Sequence, residues 1–138
     1  MFSRVIARTA LVAGALALAA GGARAVDPAP GGAPAVAGVS PGVVDGATAR
    51  KLVAAGVKVV DVRTPSEFSG GHVPGALNIP HGEVAGRHAE IGPPSTPVLL
   101  YCASGRRTKV AEQALRERGF SIIYDMQSYA RWVEAEPK

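Results

Sequence analysis

The sequence predicts an α/β fold: a small domain with a central parallel sheet and helices on both faces. Three observations point to it. From Val43 onward, short β-branched or apolar runs alternate with stretches of helical pattern, the arrangement that produces crossovers and parallel strands. The chain has 138 residues, enough for one domain. Two of the runs end on chemically distinctive residues, Asp61 and Cys102, which places both at the carboxyl edge of the sheet, where α/β sheets hold their sites.

Taken in order, residues 1–25 read as a secretory signal peptide. Arg4 and Arg8 form a positive start, Thr9 to Ala20 is apolar, Gly21-Gly22 breaks the run, and Ala23-Arg24-Ala25 has the small-x-small form of a cleavage site. The apolar run falls short of a comfortable span of about 20 residues, so no stable membrane insertion is expected, although an uncleaved anchor is the alternative. No cysteine directly follows it for lipid attachment. Periplasmic or secreted localisation follows from this reading. Residues 26–42 are rich in Pro, Gly and Ala without periodicity and read as a flexible linker.

The folded domain is expected over 43–138. Asp45 is a candidate N-cap for a helix over Ala47 to Ala55, with Leu52 and Val53 inward and Gly56 as its stop. Val57 to Val62 is a strand by β-branched content. Thr64-Pro65-Ser66-Glu67 has the form of a capping box with proline at the first helical position, and Gly70-Gly71 ends that turn. Val73-Pro74-Gly75 is a turn, Ala76 to Pro80 a short strand, Glu83 to Ile91 a short helix and Gly92 to Ser95 a loop. Val98 to Tyr101 is an apolar, buried strand. A helix is expected over Thr108 to Arg118, with Val110, Ala111, Ala114 and Leu115 on one face, stopped by Gly119. Ser121 to Tyr124 is a further strand and Ser128 to Glu134 a last helix around Trp132.

Charge excludes some functions. The formal net charge is +4, but Arg4, Arg8 and Arg24 lie in the signal segment. Without those three, 15 basic residues become 12 against 11 acidic ones, a net charge of about +1. Nothing global suggests nucleic acid as a partner. One cysteine makes no intramolecular disulfide. His72, His81 and His88 do not form a ligand set with it at zinc spacing, so no metal and no cofactor are expected. His81 and His88 read as solvated surface.

Cys102 sits between a strand and the first turn of a helix. Backbone N–H groups there, the positive end of the helix dipole and the cations of Arg106 and Arg107 all favour an anionic sulfur. The bland alternative is a buried, inert cysteine that ends a strand. By strand alternation Tyr101 points the other way, into the core. Arg63 is expected to pair with a carboxylate, for which Glu67 is the candidate. His72, beside Val73-Pro74-Gly75, reads as a turn-fixing residue.

Three segments resemble the rhodanese (sulfurtransferase) family: Asp61-Val62-Arg63 with Glu67-Phe68; Gly71-His72-Val73-Pro74-Gly75-Ala76-Leu77-Asn78-Ile79-Pro80; and Tyr101 to Arg107. They occur in the family's order over about 90 residues, and the likeness is greatest to small exported single-domain members. The resemblance implies a small rhodanese-like domain in which Cys102 is the nucleophile and carries a persulfide. It implies that Ala103, Ser104, Gly105, Arg106 and Arg107 bind the substrate, a small sulfur-containing anion such as thiosulfate, and that a thiol or cyanide accepts the sulfur. Asp61, Arg63 and His72 would support the site. Many members carry Gly-Gly where this chain has Gln127-Ser128, which bears on one wall of the site.

The chemistry agrees: a thiolate attacks the donor's outer sulfur, and an acceptor then removes it in a two-step covalent cycle. Cysteine phosphatases need an arginine six positions after the cysteine. Here that position is Thr108, which makes the loop one residue too short. A non-catalytic binding module on the same fold, and a thiol-exchange or sulfur-relay protein with a transient thiol protein partner, are the remaining alternatives.

Overall fold

The computed structural model describes residues 36–138. The signal segment and the linker up to residue 35 lie outside the described residues. Five strands form one parallel sheet: β1 (Gly42–Val43), β2 (Lys58–Asp61), β3 (Leu77–Asn78), β4 (Val98–Cys102) and β5 (Ile123–Ser128). Their order is β1-β5-β4-β2-β3, and every pairing is parallel. The helices are α1 (Gly46–Ala54), α2 (Pro65–Ser69), α3 (Val84–Arg87), α4 (Arg106–Glu117) and α5 (Tyr129–Glu134).

The order of connection reverses between β2 and β4. These neighbours end side by side, with Asp61 paired in register with Tyr101. The sequence places its two distinctive residues at this switch point, outside which α/β sheets bind ligands.

All five residues of β4 are buried, as a central strand covered on both faces must be. Alternation divides them. Val98, Leu100 and Cys102 join Val60, Ile123, Ala111 and Leu115 on the α3/α4 side. Leu99 and Tyr101 join Val59, Tyr124, Ala49, Leu52 and Trp132 on the α1/α5 side. Helices therefore cover both faces, as expected, and Tyr101 points away from the cysteine.

Local signals hold closely. Asp45 Oδ1 accepts the Thr48 N–H at 2.7 Å and caps α1. Thr64 and Glu67 form the reciprocal capping box of α2, with Pro65 at its start. Gly56, at φ +87°, ends the α1 region.

Several boundaries differ from expectation. α4 starts at Arg106 rather than Thr108, because Gly105 takes a left-handed φ of +89° and turns the chain directly from strand to helix. Val110 is 52% exposed, not inward. Thr108, Ala111 and Leu115 hold the buried stripe instead, and Val110 lies one residue, about 100°, off it. Thr108 is tolerated inside because its hydroxyl donates to Gly105 O at 2.8 Å. The last strand begins at Ile123 and runs to Ser128, because its polar residues find partners near the cysteine. Glu83 to Ile91 divides into α3 and a 3₁₀ turn over His88–Glu90; Gly86 weakens a longer helix there. The expected start of the domain falls inside β1, and Val36 and Val39 already pack against the core. His88 is half-buried, its Nδ1 3.0 Å from Ala85 O.

Candidate active site around Cys102

Cys102 is the last residue of β4 and is fully buried. Ala103 and Ser104, next in the chain, are exposed. The chain then folds back at Gly105, whose N–H donates to Cys102 Sγ at 2.9 Å. The thiol donates to Gln127 O at 3.3 Å. No side chain caps α4, so its first N–H groups and the positive end of a 12-residue helix are left at the loop. Loop N–H groups at an uncapped helix start are an arrangement that receives an anionic ligand.

The Gln127 carbonyl reaches the sulfur because β5 carries a bulge. Leu100 pairs with Asp125, yet Tyr101 pairs with Gln127, so Met126 is the extra residue. Such bulges re-aim the chain. Asp125, 1% exposed, holds this one in place. Its Oδ1 accepts the Gln127 N–H at 2.8 Å. Its Oδ2 lies 3.3 Å from the Thr108 hydroxyl, whose single proton is shared with the closer Gly105 O, and pairs with Lys109 Nζ at 3.2 Å. One carboxylate thus ties the strand on one side of the sulfur to the helix on the other. Its hydrogen bond and charge raise the Lys109 pKa.

Sequence reasoning missed Asp125. A carboxylate inside an otherwise apolar strand was the available signal, but its Thr108 partner lies 17 residues away.

The arginines behave differently from each other. Arg107 forms a two-pronged pair with Glu67, Nη1–Oε2 at 2.7 Å and Nη2–Oε1 at 2.9 Å. Arg106 is exposed and enters no ion pair among the described residues. Glu67 therefore pairs with Arg107 and not with Arg63. The hydrogen bond from Arg107, then the Thr64 N–H of the capping box, hold the Glu67 carboxyl at about 2 instead of the usual 4.5.

This pair predicts a pH dependence. The folded-state pKa of Glu67 is depressed, so its contribution to stability is complete above 4.5 and is lost as pH falls from 4.5 toward 2. Glu67→Gln is expected to flatten the acid limb of the unfolding midpoint in that window, measured by thermal melts across a pH series. Parallel acid limbs for wild type and variant would contradict the pairing.

Arg63 pairs instead with Asp61, two residues earlier, at 2.6 Å. It also donates to Gly71 O at 2.7 Å. Its guanidinium lies 5.3 Å from the Tyr101 ring centre and 4.8 Å from that of Tyr129. Tyr101 OH accepts the Val73 N–H at 3.0 Å, and burial pushes that phenol's pKa up. Asp61, Arg63 and Tyr101 thus fasten the Gly71–Val73 turn to the end of the sheet. His72 stacks on Phe68 at 3.7 Å, with Nδ1 2.9 Å from Phe68 O. It braces its own turn, and no hydrogen bond links it to the cysteine loop among the described residues.

Among the described residues no three His, Cys, Asp or Glu side chains gather as a metal site, and no helix is long and apolar enough to cross a membrane.

Comparison with known proteins adds the family. The rhodanese-like domain matches residues 46–135. The uncharacterized protein YqhL of Bacillus subtilis is 41% identical over 76 residues, covering 54% of this chain and 60% of that protein. Thiosulfate sulfurtransferase 16 of Arabidopsis thaliana is 31% identical over 106 residues, covering 68% of this chain and 88% of that protein. A human single-domain sulfurtransferase, TSTD1, superposes with a TM-score of 0.60 at 26% identity, covering 77% of this chain and all of that one. The chain spans only 37–60% of the length of several other curated relatives, the Bacillus protein included. With the matched segment running from the first residue of α1 to just past α5, and the cysteine loop inside it, this chain belongs to the rhodanese-like domain family.

Proposed function

We propose that this protein is a sulfurtransferase that moves a sulfane sulfur from a small anionic donor, such as thiosulfate, to cyanide or a thiol through a persulfide on Cys102. The observation that carries this reading is the Gly105 N–H on Sγ at 2.9 Å, at the uncapped start of α4. Sulfurtransferases among the relatives support it.

The steps balance without a cofactor. The thiol proton leaves to water. The Cys102 thiolate attacks the outer sulfur of thiosulfate, a sulfur–sulfur bond forms, and the donor's own sulfur–sulfur bond breaks so that sulfite departs with the electron pair. Cyanide carbon then attacks the outer sulfur of the persulfide. Thiocyanate leaves and the thiolate returns, a covalent cycle in two halves. In this reading the loop amides and Arg106 bind the donor's sulfonate, while Arg107, fixed by Glu67, supplies a positioned charge.

Export to the periplasm or beyond, directed by residues 1–25, belongs to the same proposal. Intact-mass spectrometry of the exported protein, expected to begin at Val26, tests both. Thiosulfate should add about 32 Da, one sulfur, to the Cys102 peptide, and cyanide should remove it as thiocyanate. A folded, reduced protein that gains no sulfur would point to a thiol-exchange or binding role. Arg106→Ala and Arg107→Ala are expected to raise the donor KM, by up to the equivalent of about 1.5–3 kcal/mol for a direct charge-assisted contact, measured by steady-state kinetics in thiosulfate. An unchanged KM in both would remove the arginines from donor binding.

A further inference from the structure

Gln127 is the one non-glycine residue with a left-handed backbone among the described residues, at φ +70°. Glycine adopts that conformation freely, and a longer side chain there is held against strain. Here the Asp125 carboxylate holds it, through the 2.8 Å bond to the Gln127 N–H. The side chain so placed lies against the cysteine loop. A Cβ on Gly105 would come within 3.1 Å of Gln127 Cβ and 3.5 Å of its Cγ. Gly105 is the residue whose N–H holds the sulfur, and the Gln127 carbonyl lies 3.3 Å from that same sulfur. Cys102, fully buried, therefore sits beneath the seam between loop and β5, and the Gln127 stem stands on that seam.

We propose that Gln127 is a specificity-determining residue that limits by size what reaches Cys102 Sγ. A small linear acceptor such as cyanide passes beside the stem. A branched thiol, such as a cysteine-containing peptide, requires the stem to swing off Gly105 first. As a statement about acceptors this rests on the sulfur-transfer reading; as a statement about access to the sulfur it rests on the contacts alone.

The test uses the purified protein with Gln127→Gly and Gln127→Ala. Glycine removes the whole side chain and relieves the backbone, and alanine removes Cγ and everything beyond it while keeping Cβ at positive φ. The single cysteine makes alkylation report on this site only. Rates are measured with iodoacetamide, a small reagent, and with pyrenylmaleimide, a bulky one. Both variants are expected to raise the bulky-to-small rate ratio about tenfold or more, the scale of steric discrimination in a pocket. The ratio of glutathione to cyanide turnover should rise in parallel. An unchanged reagent ratio, or a rise in glycine alone, overturns the proposal. A reagent ratio raised in both variants, together with a wild-type protein that releases no thiocyanate, overturns the sulfur-transfer reading and leaves the access filter standing.

Discussion

Cys102→Ser is expected to abolish sulfur transfer and leave the domain folded. A hydroxyl fits the same space and keeps the same two neighbours, the Gly105 N–H and the Gln127 carbonyl. It does not ionise near neutral pH and cannot form a persulfide. Removing a covalent nucleophile costs about 10³-fold or more in turnover. Stability should change by no more than about 1–2 kcal/mol, because the buried hydroxyl remains hydrogen-bonded. Thiocyanate release and urea unfolding measured on one preparation separate the two effects. Retained activity would place the chemistry elsewhere. Loss of fold would mean that the sulfur's packing against Val60, Leu100 and Ala111 on the α4 side matters more than its reactivity.

The second large effect lies on the strand next to that of Cys102. Asp61→Ala is expected to cost about 3–5 kcal/mol, the usual result of leaving one member of a buried ion pair behind. The Asp61 side chain is fully buried and that of Arg63 is 8% exposed. Asp61 oxygens accept from Arg63 Nε and Nη2 as well as from its backbone N–H. With Asp61 gone, the guanidinium would stay against the rings of Tyr101 and Tyr129 with only Gly71 O as an acceptor. Against a total stability of about 5–15 kcal/mol for such a domain, that loss shifts the urea midpoint markedly. Asp61→Asn, which keeps acceptor capacity, should lose less. A loss below about 1 kcal/mol for alanine would show that Arg63 swings out to water. Because Asp61 ends β2 in register with Tyr101, catalytic activity should fall with the fold and not ahead of it.

Much of this was legible in the chain. The capping box at Thr64–Glu67 and the Asp45 cap bind within three residues, so the pattern of residues is the geometry. The alternation of β4 assigns Cys102 and Tyr101 to opposite faces without knowledge of the partners. The strand–cysteine–glycine–helix order singles out Cys102 as the candidate nucleophile, because a helix start beside a thiol has the same electrostatics in any α/β domain.

What was not legible lies between elements. Sequence proximity pairs Glu67 with Arg63, four residues away, whereas in the fold it binds Arg107 at a separation of 40. Arg63 turns back to Asp61, two residues away, because the strand end buries both. The bulge at Met126 follows from register across the sheet, and it alone brings the Gln127 carbonyl to the sulfur. The sequence by itself determined the fold class, the caps and the place of Cys102 between strand and helix, since those depend on contacts within one turn or one strand. The tertiary structure decided which charges pair, why Asp125 is buried and what stands over Cys102. Those depend on how far apart the crossovers set the chain's distant segments, and a linear pattern holds no such distance.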